Sequence, residues 1–298
     1  MKSNQKIKEL LLAFLDNKKS SQANIAKKIG VSNTTLSMYL QDKYNGDVLT
    51  LETKLKQFLD REKNRKLSNE FVFVDTSLSQ KIQQSCSFAF DTQDIVLIIG
   101  GSGVGKTAAL KSFTEKTKSV IYIECDLSFT PKNILLEIAQ QLKLDLEKIG
   151  KNLFALNDAI LKDLKDRDVL LIFDEAELLS YKSLETIRRI HDKSETAIVL
   201  AGMPKLKTNL RGKKGDFLQL FSRIGIAVDV GNEVSEADLG KVIAEQGEFS
   251  KFAEDLKKLA KGNLRRLTKI LKGSKQLLKK GEKLDAETLK TYSSFLIS

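Results

Sequence analysis

The sequence predicts an α/β protein built around a mostly parallel sheet, preceded by an all-α domain and followed by a small helical domain. Between residues 71 and 231, short apolar runs alternate with segments of helical periodicity, which is typical of a parallel sheet with helices on both faces. Residues 1–62 contain helical patterns without a strand-like run, and residues 232–298 are Leu- and Lys-rich helical patterns. We therefore expect a helical domain at 1–62, a linker at 63–70, an α/β core at 71–231 and a helical lid domain at 232–298.

The first 62 residues predict a helix-turn-helix. Ser20 or Ser21 can cap a helix that ends at Gly30, and Ser32 can cap the next helix. Ala26 is small enough for the two helices to approach closely, which resembles the phage-repressor type of DNA-binding domain. The alternative is a four-helix protein-interaction module. On the first interpretation the second helix reads DNA, and the candidate contacts are Thr34, Thr35 and Lys43.

The net charge of +11 is concentrated at the two ends of the chain. Residues 1–66 carry 14 Lys and Arg against 7 Asp and Glu, residues 67–231 carry 22 against 22, and residues 232–298 carry 14 against 10. Basic ends favour a polyanionic partner, and nucleic acid is favoured over a membrane because no basic helix presents a long aromatic apolar face. A merely well-solvated surface is the alternative.

Several classes of protein are disfavoured by the composition. The sequence shows no signal peptide and no apolar stretch of membrane-spanning length, so we expect a cytoplasmic protein without a membrane partner. Cys86 and Cys125 lie far apart, outside metal-ligand spacing, and His191 is the single histidine. These counts argue against a disulfide scaffold, a histidine-rich metal site and a hydrolase triad.

The central region predicts five strands after the linker. The segment REKNRKLSNE at 61–70 is charged and without periodicity, which places the linker there. The strands are expected at 95–99, 119–123, 169–173, 196–200 and 224–230.

The segment IIGGSGVGKT at 98–107 predicts a phosphate-binding loop between the first strand and a helix. Glycines let backbone N–H groups surround phosphates, a lysine reaches the β and γ oxygens, and a threonine ligates magnesium. The alternative is a glycine-rich turn that binds nothing. We predict a site for ATP and Mg²⁺ with Thr107 on the metal and nucleotide contacts from Gly100, Gly101, Ser102, Gly103, Val104, Gly105, Lys106, Thr107 and Ala108.

The segment VLLIFDEAE brings two acids to the carboxyl end of a strand. Asp174 can hold the magnesium shell, and Glu175 can polarise water for attack on the γ-phosphate. Together with the loop, the pair predicts ATP hydrolysis. Two acids that only cap the next helix are the alternative.

Hydrolysis at such a site needs a cation at the γ-phosphate, often from a neighbouring subunit. Arg223, in LFSRIG, is the best candidate for this role. Arg265 or Arg266, in GNLRRL, can reach the nucleotide from a lid, and we place Arg265 among the nucleotide contacts. Arg188 and Arg189 are expected on a solvated helix face.

Two basic segments are candidates for contact with DNA phosphates. The segment MPKLKTNLRGKKGDF predicts a flexible basic loop, and a second basic loop surrounds Gly150. Solvated surface turns are the alternative. No aromatic ladder accompanies these cations, so duplex is favoured over single-stranded DNA. The candidate contacts are Lys148, Lys151, Lys205, Lys207, Arg211, Lys213 and Lys214.

The phosphate loop, the IFDEAE strand, the SRIG arginine and the GNLRRL lid together resemble the AAA+ ATPases, whose active sites form between subunits. The order of parts, with QDKYNGD at 41–47 after repressor-like helices, is similar over nearly the whole chain to the transposition B proteins of Mu-like phages. The resemblance implies ATP-dependent helical filaments on double-stranded DNA with little sequence preference. It also implies target-DNA selection and delivery to a DNA transposase, hydrolysis stimulated by that transposase, and Arg223 acting across a subunit interface.

One feature departs from the family pattern. Where many AAA+ proteins place a polar sensor after the fourth strand, this chain has AGMP at 201–204, and Thr196 lies at the opposite end of the strand. Slow basal turnover is the expected consequence. Two other functions stay open: a helicase loader with a helicase partner and single-stranded DNA, and a transcriptional regulator in which nucleotide acts as a switch.

Overall fold

The computed structural model describes residues 4–16, 21–69, 72–150, 152–212, 221–279 and 281–296. These residues fall into two compact units, Met1–Phe71 and Val72–Ser298, which we describe in turn. None of the helices in the described ranges is both long and apolar enough to cross a bilayer.

The first unit is all-α, as predicted. Ser21 accepts a hydrogen bond from the Asn24 amide and caps one helix, Gly30 ends it in the left-handed conformation, and Ser32 caps the next through the Thr35 amide at 3.0 Å. Its core contains the fully buried Leu11, Ile25, Leu36, Tyr39 and Leu55. The helices of this unit are Gln5–Asp16, Gln22–Ile29, Asn33–Leu40 and Val48–Asn69.

The helix Val48–Asn69 continues through residues 63–69 of the segment where a linker is predicted. Residues 63–69 contain no Gly or Pro, so no strong helix breaker interrupts the helix there, although hydrophobic periodicity is absent. Periodicity indicates that one face of a helix is buried, and a helix can continue through a segment that lacks it. The predicted division into domains otherwise stays a prediction.

The second unit contains a five-stranded parallel sheet. The strand order is β2-β3-β4-β1-β5, and every neighbouring pair is parallel. All five predicted strands are confirmed, with bounds within two residues of the expected ones. The strands are β1 Ile95–Ile99, β2 Val120–Glu124, β3 Leu170–Asp174, β4 Ala197–Gly202 and β5 Ile224–Asp229.

Helices cover the central strands of this sheet. The strands β1, β3 and β4 are buried along their whole length, whereas β5 lies at the edge and is largely exposed. Runs of Ile, Leu and Val form such strands because both faces are packed. The helices are Ser77–Thr92, Lys106–Lys116, Pro131–Gln141, Leu146–Ile149, Leu153–Lys165, Tyr181–Ser194 and Lys205–Arg211, with a 3₁₀ turn at Ala176–Leu178.

The C-terminal helices belong to the same compact unit as the sheet. Buried Asp238 accepts hydrogen bonds from the Ser77 amide at 3.0 Å and the Ser77 hydroxyl at 2.5 Å, which joins this region to the start of the helix Ser77–Thr92. The elements here are Glu236–Ala244, the 3₁₀ segment Gly247–Phe252, Ala253–Ala260, Leu264–Lys279 and Ala286–Ser294.

Candidate active site

The candidate site lies at the carboxyl ends of β1, β3 and β4. In a parallel sheet these ends meet at one edge, which is where ligands bind in open α/β folds. Ile99 of β1 pairs in register with Gly202 of β4, and Phe173 of β3 pairs with Leu200. The phosphate loop that follows β1 and the acidic pair that ends β3 are therefore brought to the same edge, as predicted.

The glycines of the loop are required by its backbone. Gly103 and Gly105 have φ of +79° and +106°, a conformation that side chains with a Cβ rarely adopt. Gly101 donates its amide to the Gly231 carbonyl at 2.8 Å, and a Cβ at Gly101 would lie 2.8 Å from the Cα of Asn232. The loop is thus a preformed turn at the N-terminus of the helix Lys106–Lys116, where backbone amides favour anions.

Lys106 is held inside this loop. Its Nζ donates to the carbonyls of Gly100 and Gly101 at 2.7 and 2.8 Å, and the residue is 9% exposed. Burial lowers the pKa of Lys106, while the charges of Asp174 and Glu177 oppose that lowering. The ammonium therefore lies among the groups that the sequence analysis assigned to nucleotide binding.

Asp174 is oriented by two donors at the end of β3. The Tyr122 hydroxyl donates to its Oδ2 at 2.9 Å, and the Glu175 amide donates to its Oδ1 at 2.9 Å. Asp174 is 1% exposed, and burial followed by the charge of Asp174 raises the pKa of Tyr122. A buried, oriented carboxylate supplies oxygen donors of the kind that suit Mg²⁺, and Thr107, at the second position of the helix Lys106–Lys116, would supply a hydroxyl.

Glu175 is exposed and strained. Its φ of +57° lies in the left-handed region, which costs a residue with a side chain about 1 kcal/mol or more. Its pKa is raised by burial of the carboxylate first and then by the charges of Asp174 and Glu177. A carboxylate with a raised pKa is a better general base at neutral pH.

The two neighbouring arginines of the lid point to different partners. Arg265 donates through Nη1 to the Ser102 hydroxyl at 3.1 Å, and its amide donates to the Gly103 carbonyl at 3.1 Å. Asn263 also binds the loop, through Nδ2 to the Ser102 carbonyl at 3.0 Å. Arg266 instead donates to the carbonyls of Leu259, Ser293 and Leu296. The structure thus brings Arg265, but not Arg266, to the phosphate loop.

Arg223 lies just before β5 and forms an ion pair within its own chain. Its Nε is 3.2 Å from Oδ1 of Asp192, and its side chain remains 56% exposed. Arg188 also binds Asp192 and Glu185 and is only 12% exposed, so its expected position on a solvated face is wrong. Arg189 is 67% exposed, as expected. The role of Arg223 across a subunit interface stays a prediction.

The predicted basic loop after β4 is in part a helix. Residues 205–211 form the helix Lys205–Arg211, because Leu206 and Leu210 recur at helical spacing and are fully buried beneath it. Lys205 and Arg211 are exposed, Lys207 is half-buried, and the Arg211 guanidinium lies 4.7 Å from the Phe221 ring centroid. Lys213 and Lys214 lie outside the described residues.

The remaining candidate DNA contacts are mostly exposed. Lys148 pairs with Asp145 at 3.2 Å and is 85% exposed, while Lys151 lies outside the described residues. In the first unit Thr34 and Lys43 are exposed, and Thr35 is half-buried. These positions stay predictions as DNA contacts.

Sequence reasoning missed three residues at the site. Tyr122 orients Asp174, Asn263 holds the loop, and Glu177 lies beside Gly202 at the end of β4. Weak signals existed: a tyrosine in an otherwise apolar strand, and a third acid in the segment DEAE. Neither signal identifies a partner, because the partners are far away in the sequence.

Comparison with known proteins agrees with this arrangement. A family model described as an AAA domain matches residues 90–210. The fold and the site define an AAA+ ATPase. The loop and Lys106 stay predictions as the groups that bind the phosphates of ATP, and Glu175 stays a prediction as the general base.

Relatives of known name extend the similarity beyond that domain. The Mu-like prophage FluMu DNA transposition protein B of Haemophilus influenzae is 32% identical over 222 residues, which is 72% of this chain and 76% of that protein. ATP-dependent target DNA activator B of Escherichia phage Mu is 29% identical over 293 residues, which is 94% of this chain and 91% of that protein. The chain belongs to the family of transposition B proteins of phage Mu and Mu-like prophages.

A solved structure supports the fold alone. The Aeropyrum pernix ORC2 protein has a TM-score of 0.62 and 16% identity, covering 79% of this chain and 73% of that one. The parallel-sheet ATPase fold is therefore shared with a protein of very different sequence.

Proposed function

We propose that this ATPase assembles on double-stranded DNA in its ATP-bound state, with little sequence preference, and delivers that DNA as a target to a DNA transposase, which it activates. The observation that carries this proposal is the similarity over most of both chains to a protein named ATP-dependent target DNA activator B. Stimulation of hydrolysis by the transposase then ends the assembly. Such a protein works in the cytoplasm of the bacterial host.

The distribution of charge supports duplex DNA as the partner. Both ends of the chain are basic, and exposed cations include Lys43 in the first unit and Lys148 and Lys205 in the second. Cations that bind backbone phosphates give affinity without sequence preference. The capped helix Asn33–Leu40, with Thr34 exposed near its start, adds a surface that fits a groove.

Assembly and magnesium complete the active site in this proposal. Arg223, exposed and held by one ion pair, is free to exchange Asp192 for the γ-phosphate of a neighbouring copy. Thr107 and Asp174 hold Mg²⁺, which neutralises charge on the phosphates when it is bound.

Electron microscopy of the full chain with random-sequence duplex DNA tests the assembly. We expect filaments that coat the duplex with ATP at moderate salt, and none with ADP or without nucleotide. Discrete particles on single-stranded DNA would favour a helicase loader instead. Binding restricted to one duplex sequence would favour a transcriptional regulator.

Substitution of Arg223 tests its role between subunits. Arg223→Ala should bind ATP normally but lose hydrolysis in the assembled state, because the γ-phosphate lacks its cation. Arg189→Ala, which removes another exposed arginine, is the matched control and should hydrolyse ATP like the parent protein. Normal turnover by assembled Arg223→Ala would exclude the assignment.

A further inference from the structure

Glu177 occupies the space beside the end of β4. It lies in the 3₁₀ turn Ala176–Leu178, and its backbone carbonyl accepts a hydrogen bond from Asn209 Nδ2 at 3.0 Å. A Cβ built on Gly202 would overlap Oε2 of Glu177 and would lie 3.2 Å from its Cδ. The carboxylate therefore takes the place that a side chain at residue 202 would fill.

This carboxylate carries an unpaired oxygen. Oε2 of Glu177 is buried and has no hydrogen-bond partner among the residues that the structure describes. A buried polar atom left without a partner costs about 1–3 kcal/mol, and native proteins commonly supply a water molecule instead. An oxygen with a free acceptor position is thus kept at this edge of the sheet.

The surroundings of Glu177 are those of the reacting phosphate. Gly202, which the carboxylate touches, accepts a hydrogen bond from the Gly100 amide at 3.1 Å, at the start of the phosphate loop. After burial and the charge of Asp174, the charge of Glu177 contributes to the raised pKa of Glu175. The same charge acts on Lys106. Glu177 is therefore within electrostatic range of both the phosphate-binding lysine and the general base.

The end of β4 itself offers no polar side chain, since Ala201 and Gly202 stand there. We propose that Glu177 is a positioning residue for ATP hydrolysis. From the turn that follows β3, it supplies the polar group that the end of β4 lacks. Its free carboxylate oxygen accepts a hydrogen bond from the attacking water.

The chemical step balances with this arrangement. The water has two hydrogens: Glu177 accepts a hydrogen bond from one, and Glu175 takes the other as a proton. The water oxygen forms a bond to the γ-phosphorus while the bond from that phosphorus to the bridging oxygen breaks. The bridging oxygen leaves with ADP, and Glu175 afterwards returns its proton to phosphate or solvent. Two acceptors fix both hydrogens, so a lone pair of the water points at phosphorus.

Two substitutions remove the carboxylate from its place in different ways. Glu177→Ala deletes it, whereas Gly202→Ala displaces it, because the added methyl group overlaps Oε2 at the flexible end of the Glu177 side chain. The same methyl group would lie 3.1 Å from Cδ2 of Leu206, and both neighbours are side-chain atoms that can shift, so we expect Gly202→Ala to fold. Glu115→Ala is the control: it removes an exposed carboxylate near the C-terminal end of the helix Lys106–Lys116, away from Gly202.

Intrinsic hydrolysis by the full chain without DNA is the first measurement, so the outcome is independent of DNA binding and of any transposase. We expect Glu177→Ala and Gly202→Ala each to lower kcat by about 10²-fold, the usual effect of misplacing a reacting group, with KM for ATP unchanged. The double variant should be no slower than either single variant, because both act on one carboxylate. Losses that multiply in the double variant would overturn the proposal.

Binding of phosphate analogues gives a readout that does not depend on turnover. Fluorescently labelled ADP with beryllium fluoride mimics bound ATP, whereas ADP with aluminium fluoride mimics the transferring phosphoryl group with water in line. Glu177→Ala and Gly202→Ala should retain the beryllium fluoride complex and lose the aluminium fluoride complex. Retention of both complexes, or an equal loss in Glu115→Ala, would refute a specific role for Glu177.

Discussion

Substitution of the two adjacent arginines in the lid should separate ATP binding from stability. Arg266 donates to three carbonyls, those of Leu259 at 2.7 Å, Ser293 at 3.0 Å and Leu296 at 3.2 Å, and so joins the ends of two helices. At a net value of about 1 kcal/mol per hydrogen bond, Arg266→Ala should lower the free energy of unfolding by about 3 kcal/mol. Its effect on the affinity for ATP should be indirect and small.

Arg265→Ala should do the opposite. Its side chain is exposed and binds only the Ser102 hydroxyl among the described residues, so the free energy of unfolding should change by less than about 0.5 kcal/mol. A charge-assisted hydrogen bond to phosphate is worth about 1.5–3 kcal/mol, which corresponds to about a 10- to 100-fold loss in affinity for ATP.

Urea unfolding and ATP binding, measured on both variants, decide between these roles. The chain has no tryptophan, so circular dichroism is the suitable probe of unfolding. Each variant is the matched control of the other, because both remove one guanidinium from the same helix. Equal unfolding midpoints for the two variants, or an unchanged affinity for ATP in Arg265→Ala, would refute this division of roles.

Two further outcomes are expected. Tyr122→Phe removes one donor to Asp174 and should weaken Mg²⁺-dependent ATP binding about 10- to 100-fold, while binding in EDTA is unchanged. Tyr292→Phe, the control, removes a hydroxyl from the C-terminal helix and should bind ATP like the parent protein. Equal Mg²⁺ dependence of ATP binding in all three proteins would exclude the role of Tyr122. The pKa of Glu185 is lowered from 4.5 to about 2, chiefly by its hydrogen bond to Arg188, so its contribution to stability is present above pH 4.5 and is lost as the pH falls towards 2. The difference in free energy of unfolding between the parent protein and Glu185→Gln should shrink over that range, and a constant difference would contradict the assignment.

The strands and the phosphate loop could be predicted because their signals are local. Runs such as IVLII and VLLIF are apolar on both faces. The glycines of the phosphate loop and its lysine are adjacent in the sequence, so the whole motif can be recognised from one short segment. The site residues that were not predicted make contacts that depend on which strands are neighbours in the sheet and on how those strands are aligned. Tyr122 and Asp174 are 52 residues apart and meet only because β2 and β3 are neighbours in the sheet. The helix through residues 63–69 was not predicted because the sequence there has no apolar stripe.

The position of Lys106 changes what a nucleotide affinity measures in this protein. In the structure two of the three N–H donors of its ammonium already have carbonyl acceptors, those of Gly100 and Gly101, so a phosphate that takes more than one of these donors exchanges acceptors rather than adding them. The measured free energy of ATP binding then contains the difference between the hydrogen bonds of the Lys106 ammonium to phosphate and its hydrogen bonds to the loop carbonyls. Substitution of Lys106 removes both sets at once, so the resulting loss in affinity will understate the strength of the contact between the ammonium and the phosphate.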